Sequence, residues 1–196
     1  MAATPRLLVG LGNPGEEYEA SRHNIGYRVA DLLADRCRIS LDVFKNQSVQ
    51  GRGSWRGRRI VIAKPTTFMN RSGQAVRALM KQHRVAPNEI LVIVDDIHLP
   101  LGDVRLRASG GSGGHNGVQD IIDRLGGSNF PRLRIGIGRD FSRGGQSDYV
   151  LSPFEESEEP EVTAVTERAA AAALTFVTEG VETAMSRHNR RGVRDD

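Results

Sequence analysis

The run ILVIVDD, Ile90 to Asp96, is the most apolar strand-like stretch of the chain, and it ends on two carboxylates. A second run, RLLVGLG from Arg6 to Gly12, is apolar without alternation and closes on glycine. A strand that is apolar on both sides is buried on both sides, the condition of a strand inside a sheet covered by helices. The neighbouring segments fit that frame. From Ser21, a residue suited to capping, the spacing Ile25, Val29, Leu32, Leu33 predicts an amphipathic helix to about Arg36. SVQGRGSW and RRIVIAK predict a hairpin around Arg56 and Gly57, and AVRALMKQH continues a helix from about Met69. DVRLRAS alternates as a half-exposed edge strand would, VQDIIDRL reads as a helix and LRIGIG as a strand. The Gly/Ser-rich connection GRDFSRGGQSD then leads to one long alanine-rich helix, from about Glu155 to Ser186. Strands and helices interleave throughout, which predicts an α/β fold with helices flanking the sheet, and neither an internal repeat nor a linker interrupts it.

At 196 residues the chain fits one domain whose core needs neither disulfide nor metal. The single cysteine, Cys37, excludes an internal disulfide and a cysteine zinc cage, fits a reducing compartment and reads as packing on its helix. No apolar run approaches a membrane span and the first residues do not resemble a signal peptide, so the cytoplasm is the expected location. The net charge is only +3, yet arginines cluster in GRGSWRGRR (Arg52 to Arg59), in the two RLR segments at 105–107 and 132–134, and in the tail RHNRRGVR, while acid gathers in EESEEPE. A basic face suits a polyanion, although scattered surface arginines give the same composition.

Gly10, Gly12 and Gly15 have the spacing of a dinucleotide-binding fingerprint. Pro14 removes an N–H from that turn, however, and the polar EEYEAS replaces the apolar face of a helix opening there, so the spacing is read as coincidental. Ligands of open α/β sheets gather beyond the carboxyl ends of strands. Four loops are expected there, GNPGEEYEASRHN, KPTTFMNRSG, DDIHLPLG and GGSGGHNG, and together they offer Asn13, Tyr18, His23, Asn24, Asn70, Asp95, Asp96, His98, His115 and Asn116. GGSGG also fits the G-x-S-x-G of a serine hydrolase, with Ser112 as nucleophile. The strand before it carries Arg105 and Arg107 in alternation, which describes an edge strand and not the central strand of a nucleophile elbow.

The segments VGLGNPGEEYEASRHNIG, KPTTFMNRSG, DDIHLPLGDVRLR and GGSGGHNGVQDII, in that order and spacing, resemble the bacterial-type peptidyl-tRNA hydrolases. The resemblance runs to about Gly138. It implies one domain over residues 1–196, a three-layer sandwich with a mixed central sheet, acting as a monomer without cofactor or metal. It further implies hydrolysis of the ester between a peptide and the 3′-terminal ribose of tRNA. By motif position His23 matches the family's catalytic imidazole and Asp95 its carboxylate partner. Asn13, counted with the catalytic group, Asn70 and Asn116 match cleft asparagines, Tyr18 and Phe68 aromatic substrate contacts, and Arg107 with Arg134 a clamp on a terminal phosphate. The chemistry agrees: a His held by a carboxylate supplies a base near neutral pH, water serves as nucleophile, and Asn amides hold peptide groups without adding charge. An RNA-binding protein without turnover is also compatible with the resemblance, but binding alone does not require this combination of His23, Asp95 and three asparagines. The chain departs from the family at His98, where an acid is more common, and at Arg107, where lysine is frequent. The acidic 155–161 segment receives no role.

Overall fold

The computed structural model describes residues 4–189, so residues 190–194 of the basic tail lie outside the described residues. Seven strands, β1 (Arg6–Gly10), β2 (Val43–Lys45), β3 (Ser48–Trp55), β4 (Arg58–Pro65), β5 (Ile90–Asp96), β6 (Val104–Arg107) and β7 (Arg132–Gly136), form one sheet in the order β2-β3-β4-β1-β5-β7-β6. The central four, β4, β1, β5 and β7, are parallel, and the outer pairings are antiparallel, which makes the sheet mixed. Among the described residues six α-helices accompany it: α1 (Ile25–Cys37), α2 (Ser72–His83), α3 (Asn116–Leu125), α4 (Gln146–Leu151), α5 (Glu159–Glu179) and α6 (Val181–His188).

Neighbouring residues of β1, β4 and β5 enter different cores. Leu8, Ile62, Leu91, Ile93 and Leu133 pack with α1, α5 and α6, whereas Leu7, Val9, Val61, Val92 and Val94 pack with α2 and α3. This is the physical content of the unalternating runs, because both pleat faces of β1 and β5 are covered. The result is three layers, helices on each side of the sheet. Cys37, the last residue of α1, packs against the larger core.

Several boundaries differ from expectation. A 3-10 turn, Arg22–Asn24, stands between Ser21 and α1, and another, Met69–Arg71, precedes α2. The predicted helix from Glu155 to Ser186 is two helices, because Gly180, at φ 85°, takes a backbone conformation that ends α5 and opens α6. The connection 138–148 runs into the short helix α4, and β2 adds an unanticipated edge strand. The loop GGSGG does not leave the carboxyl end of a parallel strand. Since β6 runs antiparallel to β7, its chain emerges at the far end and must return across the sheet to reach α3.

That return, together with the chain that leaves α3 for β7, is held by an arginine that composition alone assigns to the surface. Arg132 is only 2% exposed. Its guanidinium donates to the carbonyls of Ser128 at 2.7 Å, Phe130 at 3.1 Å, Gly111 at 3.1 Å and to that of Gly110, and it lies over the Phe130 ring. Burial and the charge of neighbouring Arg134 lower its pKa to about 10, which leaves it a cation at neutral pH.

The fingerprint-like glycines have a packing role. A Cβ at Gly10 would lie 2.1 Å from the Gly26 carbonyl oxygen, and one at Gly26 would lie 2.5 Å from the carbonyl oxygens of Leu11 and Ile93. The first turn of α1 therefore rests directly on the ends of β1 and β5.

Two stability measurements test these contacts by urea unfolding. Gly10→Ala is expected to destabilise the protein by about 1–3 kcal/mol or more, since backbone must move to admit the methyl group. Arg132→Met should cost about 2–4 kcal/mol, because buried carbonyls lose a charged donor. A midpoint unchanged in either variant would contradict the corresponding contact.

Candidate active site

The sheet opens at one place. Gly10 of β1 pairs with Ile93, so β5 continues past its neighbour, and Asp95 and Asp96 pair only with Ile135 and Gly136 of β7. The chain leaving β1 adds one more bond, Leu11 N–H to the Ile93 carbonyl, and then turns away. The side chains at the end of β5 thus meet the 3-10 turn ahead of α1 and the start of α3.

Asp95 is the centre of what assembles there. It is 3% exposed, and its Oδ1 accepts two hydrogen bonds, from His23 Nδ1 at 2.7 Å and from His115 Nε2 at 3.0 Å. His115 is also the N-cap of α3: its Nδ1 accepts from the backbone N–H groups of Gly117 at 3.1 Å and Val118 at 3.2 Å. Those two donors fix its tautomer, leaving the ring proton on Nε2 for Asp95. Burial alone would raise the Asp95 pKa, but the two imidazoles outweigh it and hold the carboxyl well below the usual carboxylate range. Burial likewise opposes charge on His23, whereas the Asp95 carboxylate and its hydrogen bond favour it, and the net effect raises the His23 pKa above 6.5. With Nδ1–H directed at Asp95, Nε2 is the basic atom of the His23 ring.

A cleft of about 410 Å³ adjoins this cluster, lined by Asn13, His23, Phe68, Asn70, His115 and Asn116 among others. Asn13 is locked on both sides. Its N–H and carbonyl are bonded to the Asn24 side chain at 2.8 and 3.0 Å, and its Oδ1 accepts the Met69 N–H at 2.7 Å. What remains for the cleft is therefore Nδ2, a donor. Asn70 sits on the turn Met69–Arg71 and Asn116 opens α3. Phe68 is 55% exposed at the rim, and Tyr18 packs edge-on against it, 6.4 Å between centroids, without lining the cleft itself.

Beside Asp95, Asp96 holds Arg134 at 2.7 Å and accepts the His98 N–H at 2.8 Å. The His98 ring, through Nε2, donates to the Gly113 carbonyl at 3.0 Å and joins the loop after β5 to the glycine loop. Arg134 lines the cleft, whereas Arg107 is exposed on edge strand β6 and does not. Arg107 pairs with Arg132 and Arg105 with Arg134, which puts all four on one face of the β6-β7 pair and makes Arg107 and Arg134 diagonal neighbours.

The acidic segment acquires a role. Arg22, buried beside His23, forms a two-toothed bond to Glu158 at 3.0 and 2.7 Å and lies 4.4 Å from the Tyr149 ring and 4.8 Å from that of Phe154. Its N–H also donates to the Ser152 carbonyl. The turn carrying His23 is thereby bolted to the segment between α4 and α5, while Glu159 pairs with Arg28. Sequence reasoning places His115 among the polar residues of the cleft without giving it a role, and it does not single out Arg132, Arg22, Glu158 or the α4 wall as site residues. The order Arg22-His23 and His115-Asn116, basic groups adjoining the chosen ones, was the available signal.

Ser112 lines the cleft but lacks a base. Among the described residues its Oγ accepts only a 3.4 Å bond from Gly114 N–H, and both nitrogens of nearby His115 are engaged elsewhere. His23, Asp95 and His115 also have ligand atoms within 4.8 Å of one another, as a metal site would. Yet the nitrogens facing Asp95 carry protons, and moving that of His115 to Nδ1 would break the cap of α3. The trio is built to hold protons.

A family model described as Peptidyl-tRNA hydrolase matches residues 7–196, beyond the Gly138 limit of the sequence resemblance. The peptidyl-tRNA hydrolase of Salinibacter ruber is 48% identical over 188 residues, covering 95% of this chain and 100% of that protein. That of Lachnoclostridium phytofermentans is 42% identical over 187 residues, covering 95% and 98%. The crystal structure of peptidyl-tRNA hydrolase from Acinetobacter baumannii superposes with a TM-score of 0.89 at 38% identity, covering 95% of each chain. The chain belongs to the peptidyl-tRNA hydrolase family.

Proposed function

We propose that this chain hydrolyses the ester joining a peptide to the 3′-terminal ribose of tRNA, releasing peptide and free tRNA, with His23 as general base. The observation that carries the roles is the shared carboxylate: Asp95 takes the Nδ1–H of His23 at 2.7 Å and leaves Nε2 as the basic atom of a ring that lines the cleft. Water gives a proton to His23 Nε2 as its oxygen attacks the ester carbonyl. The imidazolium, stabilised by Asp95, returns that proton to the departing ribose oxygen as the C–O bond breaks. Asn13 Nδ2, fixed as a donor by Met69, is suited to the developing oxyanion, and Asn70 and Asn116 to the peptide groups. Phe68, backed by Tyr18, offers apolar surface to the peptide. Arg134, aligned by Asp96, and its diagonal neighbour Arg107 take a phosphate near the acceptor end. The reading has the whole chain acting as one domain, a cytoplasmic monomer needing no cofactor; no helix among the described residues is long and apolar enough to cross a membrane.

His23→Ala is expected to lower turnover of N-acylated aminoacyl-tRNA by about 10²–10⁴-fold while tRNA binding survives. Near-normal hydrolysis by that variant would remove His23 from the mechanism. A base works only when neutral, so the raised His23 pKa makes kcat/KM fall as pH drops through a value above 6.5. Asp95→Asn takes away the charge that raises it. The acid limb should then move to lower pH with a reduced maximal rate, and a limb that stayed in place would show that another group sets it. For the clamp, Arg107→Ala and Arg134→Ala should raise KM for the intact substrate, flatten its salt dependence and spare a short N-acyl-aminoacyl ester lacking the phosphate. Equal losses on both substrates would assign these arginines to the fold.

A further inference from the structure

The basic cluster GRGSWRGRR has no part in the reaction above. It forms the far side of the β3-β4 hairpin, and a second cavity, about 350 Å³, opens there between that hairpin, the residues leading into β1 and the end of α2. The parallel pairing of β4 with β1, Arg6 opposite Ile60, sets this cavity at the amino ends of the central strands. The cleft lies at their carboxyl ends. The strand from Arg59 to Pro65 separates the two by roughly 20 Å at ~3.3 Å per residue.

Arg52, Arg59 and Arg84, all exposed, line this cavity together with Ile60 and Val61, and among the described residues no carboxylate lines it. Among the described residues, none of the three guanidiniums is engaged in an ion pair; Arg56, Arg58, Arg105 and Arg107 also have none, but here three such arginines line one cavity, whereas Arg22, Arg28, Arg36, Arg124, Arg134, Arg168 and Arg187 are paired. A neighbouring group registers the resulting field. His83, bonded through Nε2 to Gln50 Oε1 at 2.7 Å, is lowered to about 4 by burial and by the charges of Arg52 and Lys45. Planar forks gathered without a counter-charge match the oxygens of phosphate, which two or three guanidiniums can hold at once. The volume suits a diphosphate or a single phosphate projecting from an RNA strand, and is too small to admit a duplex.

We infer that the cavity bounded by Arg52, Arg59 and Arg84 is a binding site for a phosphate oxyanion, separate from the catalytic cleft. Its ligand is either a free diphosphate-like anion or a backbone phosphate of RNA held against the hairpin. The inference does not depend on the catalytic reading, because no residue is shared between the two sites.

The test is calorimetric titration of the full chain with pyrophosphate and, separately, with a short blunt-ended RNA duplex. Each titration is repeated on Arg52→Gln/Arg84→Gln and on Arg134→Gln. At least one probe is expected to bind saturably, to weaken at least roughly tenfold in the Arg52/Arg84 variant and to be retained by Arg134→Gln. Dependence of pyrophosphate binding on Arg52 and Arg84 identifies a free anion, and the same dependence for the duplex identifies backbone phosphate. In either case the His83 titration, followed by NMR, should move to higher pH when the bound anion offsets the neighbouring arginines. The site is refuted if neither probe's affinity depends on Arg52 and Arg84, including the case in which the loss appears only in Arg134→Gln.

Discussion

An ionised carboxylate at the end of a covered strand survives only if donors replace the water it has lost. Asp95 has two, on the same oxygen, and each belongs to a different layer of the molecule. His23 comes from the turn before α1 on one side of the sheet, and His115 from the cap of α3 on the other. The demand of one buried charge thus draws both helical layers to the place where β5 outruns β1. Remaining features of the site serve that convergence. Gly10 and Gly26 let α1 begin close enough to the strand ends, and Asn24 fastens the chain leaving β1 to the turn that carries His23.

Two buried arginines complete the framework, and they work differently. Arg22 answers a charge, Glu158, and stacks on Tyr149 and Phe154, so it joins the His23 turn to the α4-α5 junction through side chains. Arg132 answers no carboxylate and spends its donors on carbonyl oxygens of two loops, the one returning to α3 at Gly110 and Gly111 and the one leaving α3 for β7 at Ser128 and Phe130. Desolvating either cation is costly, and both sites meet the cost with multiple charge-assisted bonds. The consequence is order in loops that would otherwise have few buried contacts to hold them.

Much of this was legible in the chain. The unalternating runs at Leu7 and Leu91 told of a sheet covered on both faces, and the polar residues at strand ends told of a cleft with His23, Asp95 and the asparagines. The illegible parts have common causes. The three residues of β2 are all exposed, so its two apolar side chains, Val43 and Phe44, show no alternation between a buried and an open face, and α4 is only six residues long in a Gly/Ser-rich stretch. Gly180 interrupts a helix whose alanines otherwise favour continuity. Arg132 looked like surface because arginine usually is, and nothing local reveals that β6 reverses and sends its loop back across it. The bond of His115 to Asp95 joins residues 20 apart, and the direction of its proton depends on a helix cap that only three-dimensional geometry supplies.

The grip of Arg132 on its loop is a grip on main chain. Carbonyl oxygens at 110 and 111 before α3, and at 128 after it, are present whatever side chains those positions bear, so the hydrogen bonds themselves do not read the amino acids they fasten. Shape and composition are thereby decoupled in the stretch leading to α3. The glycines are the exception: Gly110, Gly113 and Gly114, at φ 142°, 61° and 83°, hold backbone that L side chains rarely adopt, so the freedom is confined to side chains such as that of Ser112 at the mouth of the cleft. One buried cation thus sets the path of the chain on both sides of α3, and with it the entrance to the cleft.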